Sequence, residues 1–312
     1  MHQVLHALPA FLEFLALCLA VGALGCWLWV LPVRLPAPTV YTLERLLFWS
    51  LLGLGSGALL TLMVRTAGMS GRPIAELGPV LPRVLLETHF GTIWMIRACA
   101  ILLLYSTWYA TKRWQGHRDL RPLMAAALAV IAWTHSAAGH AADQGDFTWA
   151  QCIDGLHILA ASMWAGSLLA FTLAGRGDFL QNTLSGTAGP AVMAQRLSRL
   201  AAIALGGVLV TGLVNASRQL GAPAALWGTV YGTILLVKLA LVLAMINLGA
   251  VNRYIHLPRL KALEHGAEQP SANILALRYR FIRIVALEAF LVLGVLLCAT
   301  LLIHEPPPRW GM

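Results

Sequence analysis

The sequence predicts an all-α polytopic membrane protein, a single bundle of about eight transmembrane helices. Three observations predict it. Of 312 residues, 59% are hydrophobic and only 11% charged, against roughly 25% charge in a soluble domain. The mean hydropathy is +0.73. Apolar runs long enough to cross a hydrocarbon layer, which takes about 20 residues, recur along the whole chain.

Those runs fall at residues 10–31, 43–67, 88–111, 121–141, 150–174, 192–214, 229–251 and 281–303. Breakers separate them: Pro32, Pro36 and Pro38, then Gly71 to Pro73, Gly116, Pro122, Gly186 to Pro190, Pro223, Pro258, and Pro306 to Pro308. The span 1–312 therefore reads as one transmembrane domain. No Lys or Arg precedes Arg34, so the first run lacks the positive start of a cleaved leader and reads as a retained helix.

Basic residues set the expected orientation, because Lys and Arg accumulate in cytoplasmic loops. Arg34, Arg45, Lys112, Arg113, Arg118, Arg121, Arg176, Arg196, Arg199, Arg253, Arg259, Lys261, Arg278, Arg280 and Arg283 fall at one end of the runs. Only Arg65, Arg72, Arg83, Arg218 and Arg309 fall at the other. This bias predicts both termini outside the cytoplasm. It also accounts for the net charge of +9 without nucleic acid, since no basic run is interleaved with stacking aromatics.

The histidines gather at the sparsely charged, outer end: His2, His6, His89, His135, His140, His157 and His304, with Asp143 and Asp146 beside them. Imidazole binds copper, zinc, iron and nickel, and thioether sulfur favours Cu(I). Met63, Met69, Met95 and Met163 are expected in the same outer halves. Helical phase restricts what can meet. At 100° per residue, His135 and His140 lie about 140° apart, while His89 and Met95, or His157 and Met163, lie about 120° apart. Asp154, His157 and Trp164 share a face within about 80°. A metal site is thus expected between helices, centred on His140 and His157 with His135, His89, Met95 and Met163 as further candidates. Asp154 and Trp164 would support it from the second layer. A bis-histidine haem, from His157 with His89 or His135, is the alternative cofactor, although no CxxCH occurs for covalent attachment. A non-catalytic assembly or scaffold protein is a third reading.

Charged residues inside the bilayer cost about 2.5–3.5 kcal/mol on insertion scales and mark function or packing. Glu13, Arg97, Lys238 and Glu288 are of this kind, and Asn215 and Asn247 are polar residues at similar depth. The five cysteines form no CxxC and read as buried structural thiols. No GxSxG, Walker loop, HExxH or GxGxxG after a strand occurs, so the chain is expected to be no enzyme and no self-contained ATP-driven pump.

An ordered set of short motifs resembles one known family. Leu197-Ser198-Arg199-Leu200 opens the sixth run and Thr211-Gly212-Leu213-Val214-Asn215 closes it. Gly228-Thr229-Val230-Tyr231-Gly232 and Leu236-Val237-Lys238-Leu239 follow, then Asn252-Arg253-Tyr254, Pro258-Arg259-Leu260 and Glu288. Earlier, Trp94 with Arg97, Gly139-His140-Ala141, and Asp154, His157, Trp164 and Gly166 fit the same pattern. The chain resembles the copper resistance protein D (CopD) family of bacterial inner-membrane proteins, most strongly over 195–305. The resemblance implies copper transport or copper resistance, with copper, as Cu(I) or Cu(II), accepted at the periplasmic face. It carries His140 and His157 over as matching positions. It also implies a separate periplasmic CopC-like copper carrier as partner, alongside the copper ion and membrane lipid.

Overall fold

In the computed structural model, residues 2–31, 37–113, 119–139, 145–181, 189–265 and 272–308 are described, and no strand occurs among them. Every predicted run is a helix. They are α1 (His2–Gly25), α2 (Ala37–Ser70), α4 (His89–Arg113), α5 (Arg121–Ala137), α6 (Trp149–Ala170), α8 (Pro190–Leu220), α10 (Val230–Val251) and α12 (Ala272–His304). Short helices α3 (Leu81–Glu87), α7 (Arg176–Gln181), α9 (Ala225–Gly228) and α11 (Leu257–His265) complete the set. Seven are long and apolar enough to cross a membrane. The eighth, α5, has 17 residues, about 26 Å at 1.5 Å per residue, slightly less than a bilayer core.

Local chemistry explains the helix ends. The Thr148 side chain accepts from the Gln151 N–H at the start of α6, and Thr229 accepts from the Gly232 N–H at the start of α10. Pro190 and Pro122 occupy first-turn positions of α8 and α5, where a missing N–H costs nothing. Helices α2 and α8 stop at Gly71 (φ 66°) and Gly221 (φ 69°), positive φ values that glycine adopts without strain.

Pro258 does not end the seventh run as its sequence suggests. The helix passes through a π-helical turn, Asn252–His256, in which the Leu257 N–H reaches back to Asn252 O, and continues as α11. The turn absorbs the place where Pro258 has no N–H to give. Similar turns follow α1 (Cys26–Val30) and α6 (Phe171–Gly175).

Between lipid-soluble helices, packing must replace the hydrophobic effect, and small residues let backbones approach. The central pair is α1 and α6. A Cβ on Gly22 would lie 1.9 Å from the carbonyl carbon of Gly166, and one on Gly166 would lie 1.8 Å from Cys18 O. Cys18 Sγ points to Ser162 Oγ at 3.8 Å and Cys26 Sγ to Ser167 O at 3.5 Å, so these thiols are structural. Helices α5 and α12 each pack against both members of this pair, α2 against α1, and α8 against α6.

The arginine-rich end is tied by polar contacts. Glu264 receives Arg278 at 2.7 Å and the Ala191 N–H, at the start of α8, at 3.1 Å. Arg253 donates to Ser198 O at 3.0 Å, and Thr39 donates to Asp178.

Candidate functional site

Two polar clusters lie inside the bundle toward the histidine-rich end. The first is built around Glu13 of α1. Its Oε2 receives Arg97 Nη1 of α4 at 2.9 Å, with both side chains almost fully enclosed. Arg97 is further held by Thr134 of α5, donating Nε to Oγ1 at 3.1 Å and Nη2 to the carbonyl at 3.0 Å. Gly57 of α2 makes room for the carboxylate: a Cβ there would meet Glu13 Cγ at 2.4 Å. His135 completes the cluster. Its Nδ1 faces Glu13 Oε2 at 3.5 Å, its ring stacks on Phe14 at 4.8 Å, and only 7% of the side chain is exposed. Within this cluster Glu13 Oε1 and His135 Nε2 are buried without a hydrogen-bond partner among the described residues, and the Thr61 hydroxyl of α2 lies beside the carboxylate.

The second cluster is built on α6. Asp154 Oδ1 accepts from Asn215 Nδ2 of α8 at 2.9 Å. Ser136 of α5 lies beside it, and Lys238 of α10 is a cationic neighbour of both Asp154 and His157. The hydrogen positions around His157 follow from the partners. Thr211 gives its single hydroxyl hydrogen to Gly207 O at 2.6 Å, so its oxygen accepts from His157 Nδ1 at 2.9 Å. On these partners the proton of the neutral ring is assigned to Nδ1, which leaves Nε2 unprotonated, the tautomer a metal ligand needs; the Val208 carbonyl also lies beside the ring. Gly212 leaves room for the ring, since a Cβ there would stand 3.1 Å from His157 Cε1.

Consecutive residues of α5 join the clusters. Thr134 holds Arg97, His135 faces Glu13, and Ser136 adjoins Asp154. Sequence reasoning named Glu13, Arg97, Lys238, Asp154, Asn215, His135 and His157 but not the way they pair. Glu13 is the partner of Arg97, and Thr211 and Asn215 are the anchors of His157 and Asp154. The available signal was the cost of a charge in lipid: an acidic residue inside the first run had to find a base.

The other expected residues are placed as follows. His140 and Asp143 lie outside the described residues. His89 is exposed at the bundle end, its Nε2 2.8 Å from Asp146 Oδ2. Met95 is half-buried two residues before Arg97 on α4, about 160° around the helix from it, and Trp164 is packed in the core. Met163 Sδ lies against Gly25, near the opposite end of α1, rather than beside His157. Glu288 of α12 sits beside Gly249, about 16 Å along α10 from Lys238; Lys238 is instead near Asp154. Among the described residues, no three His, Cys, Asp or Glu side chains converge as a preformed metal cage. What the geometry offers is an imidazole facing the Glu13 carboxylate and a second, His157, one turn along α6 from Asp154.

Comparison with known proteins agrees with this architecture. The family model "Copper resistance protein D" matches residues 191–302, and "Copper resistance protein D-like, N-terminal domain" matches residues 1–149. Copper resistance protein D of Pseudomonas syringae pv. tomato is 31% identical over 232 residues, covering 71% of each chain. Copper transport protein CutJ of Bacillus subtilis is 30% identical over 67% of this chain but only 39% of its own length. Inner membrane protein YebZ of Escherichia coli is 28% identical over 82% of this chain and 86% of its own. No solved structure matches. With matches that run through both halves of its helices, this multi-pass membrane protein belongs to the copper resistance protein D family.

Proposed function

We propose that the chain is an inner-membrane copper-handling protein, serving copper transport or copper resistance, which takes copper at its periplasmic face. The observation that carries this reading is His157. It is held inside the bundle by Thr211, with Nε2 left as an unprotonated donor. Imidazole suits copper in either oxidation state. The charge bias of the loops supports a periplasmic histidine end, and both termini with it. His89, exposed beside Asp146, stands where an incoming ion or a separate CopC-like carrier would first meet the protein. His140 belongs with His157 and His135 in the acceptor group, and Met95 is a thioether candidate close by. Met163, about 9 Å further along α6 than His157, serves as a later stop rather than a co-ligand. The role is binding and transfer of an ion, with no bond made or broken.

Metal analysis of the purified protein, alone and as His140→Ala, His157→Ala and the double variant, tests the assignment. Copper content falls in the singles and falls further in the double. Unchanged copper in the double variant refutes the site. Uptake into proteoliposomes, measured from each side, then gives the direction of movement.

A further inference from the structure

The two clusters are related by a pattern that runs through the chain. Glu13 and Asp154 are 141 residues apart, and so are Arg97 and Lys238. Around the bases, Thr88-His89-Phe90-Gly91-Thr92-Ile93 corresponds at the same offset to Thr229-Val230-Tyr231-Gly232-Thr233-Ile234. Gly57, Thr61, Val64, Gly71 and Pro73 correspond to Gly207, Thr211, Val214, Gly221 and Pro223 at an offset of 150. The offset rises because Asp154 to Gly207 is nine residues longer than Glu13 to Gly57, and falls back because Pro73 to Thr88 is nine residues longer than Pro223 to Thr229.

The structure repeats with the sequence. A short helix, α3 or α9, precedes a threonine cap. Thr88 accepts from the Gly91 N–H at 3.0 Å, and Thr229 from the Gly232 N–H at 2.9 Å. The glycine then lets the new helix lie against the old: a Cβ on Gly91 would meet Val84 O at 2.2 Å, one on Gly232 Ala225 O at 2.3 Å. Gly71 and Gly221 share the same left-handed φ. Packing repeats too, α1 with α2 as α6 with α8, and α4 with α5 as α10 with α12. The central crossing is reciprocal. Gly22 meets Gly166, and the counterparts of those residues, Met163 and Gly25, also meet. Residue i touches j while the equivalent of j touches the equivalent of i, the mark of a two-fold relation. Four crossings separate equivalent helices, so both units enter the membrane from the same side and the axis runs along its normal.

Resting on the copper reading above, we infer that the chain is a tandem pair of four-helix units, each with its own cation station, Glu13 with His135 and Asp154 with His157. In each, an intramembrane base, Arg97 or Lys238, balances the carboxylate at the equivalent position. The imidazoles are not equivalent, since Ala16 stands where His157 would have its counterpart, and α5 supplies His135 instead. The first station has the open atoms that a ligand would satisfy, Glu13 Oε1 and His135 Nε2, both buried. A structural ion pair would account for Arg97 and Oε2 but not for these.

The stations are counted by loading the full-length, detergent-solubilised protein with Cu(I) under ascorbate and measuring tightly held copper per chain against a chelator. Two ions are expected in the parent, one in Glu13→Gln, one in Asp154→Asn, and none in the double variant. If Glu13→Gln does not fold, His135→Gln leaves the Glu13–Arg97 pair intact and reads the same station, with one ion expected. Glu13→Asp/Arg97→Lys, which installs the second unit's pair in the first, retains two. A parent with copper that Glu13→Gln and His135→Gln leave unchanged overturns the two-station inference while the copper reading stands. A parent that holds no copper overturns both.

Discussion

Substituting Gly22 by alanine tests the central crossing, because two effects of opposite sign compete there. In a helix interior, alanine is favoured over glycine by about 1 kcal/mol. Against this, the new methyl would lie 1.9 Å from the Gly166 carbonyl carbon and 2.0 Å from its oxygen. Carbon atoms rest about 3.5–4.0 Å apart, so α1 and α6 must separate by roughly 1.5 Å or more. Helix α1 is also packed against α2, α5 and α12, and no flexible side chain stands in the gap to yield. Overpacking of this kind costs about 1–3 kcal/mol and more when backbone must move, so a net loss of about 1–2 kcal/mol is expected. Gly206→Ala in α8 is the control, since nothing lies within 4 Å of its Cβ, and it is expected to be neutral or stabilising by up to about 1 kcal/mol. Reversible unfolding in mixed micelles, read by circular dichroism, gives both values. A Gly22→Ala protein as stable as Gly206→Ala would refute the backbone-to-backbone contact.

Other consequences are as direct. Arg97→Met leaves Glu13 without its base and is expected to destabilise by about 3–5 kcal/mol, whereas Glu13→Leu/Arg97→Met costs much less than the sum of its parts; a double-mutant cycle without coupling would contradict the pair. Thr211→Val releases His157 Nδ1 and is expected to weaken copper binding about 10- to 100-fold with the fold retained, measured by chelator competition. Thr88→Ala and Thr229→Ala remove equivalent caps and should each cost about 1 kcal/mol, similar to one another, in the same unfolding assay. Glu264→Gln weakens the tie between Arg278 and the start of α8, and hydrogen exchange at the first turn of α8 should rise, with the His157 region unaffected.

The fold was legible because a bilayer leaves few options. A run of about 20 apolar residues must be a helix, and each of the eight runs is one. What hydropathy could not carry was detail that leaves composition unchanged. A π-turn adds a residue to a helix without altering its apolarity, so Pro258 read as a stop and proved to be an interior position. Pairing was equally hidden. Spacing fixes which residues share a face of one helix, as with Asp154 and His157, but not how separate helices are rotated. Which carboxylate Lys238 would face was therefore not readable, and Asp154 is its acidic neighbour. Depth along neighbouring helices was hidden for the same reason, and Met163 stands beside Gly25 instead of the outer histidines. The repeat survives in the caps, the turn glycines and the buried charges, and is lost among the interchangeable aliphatic residues between them.

The reciprocal crossing at Gly22 and Gly166 has a genetic consequence. A gene encoding a single four-helix unit would already possess the self-complementary surface for a homodimer, and fusing two copies would keep that surface while removing any need for its halves to match. One copy could then replace a glycine by Met163, and gain His157 where the other has Ala16, without a mirror change that would crowd the joint. Asymmetry of this sort is open only to a covalently linked pair.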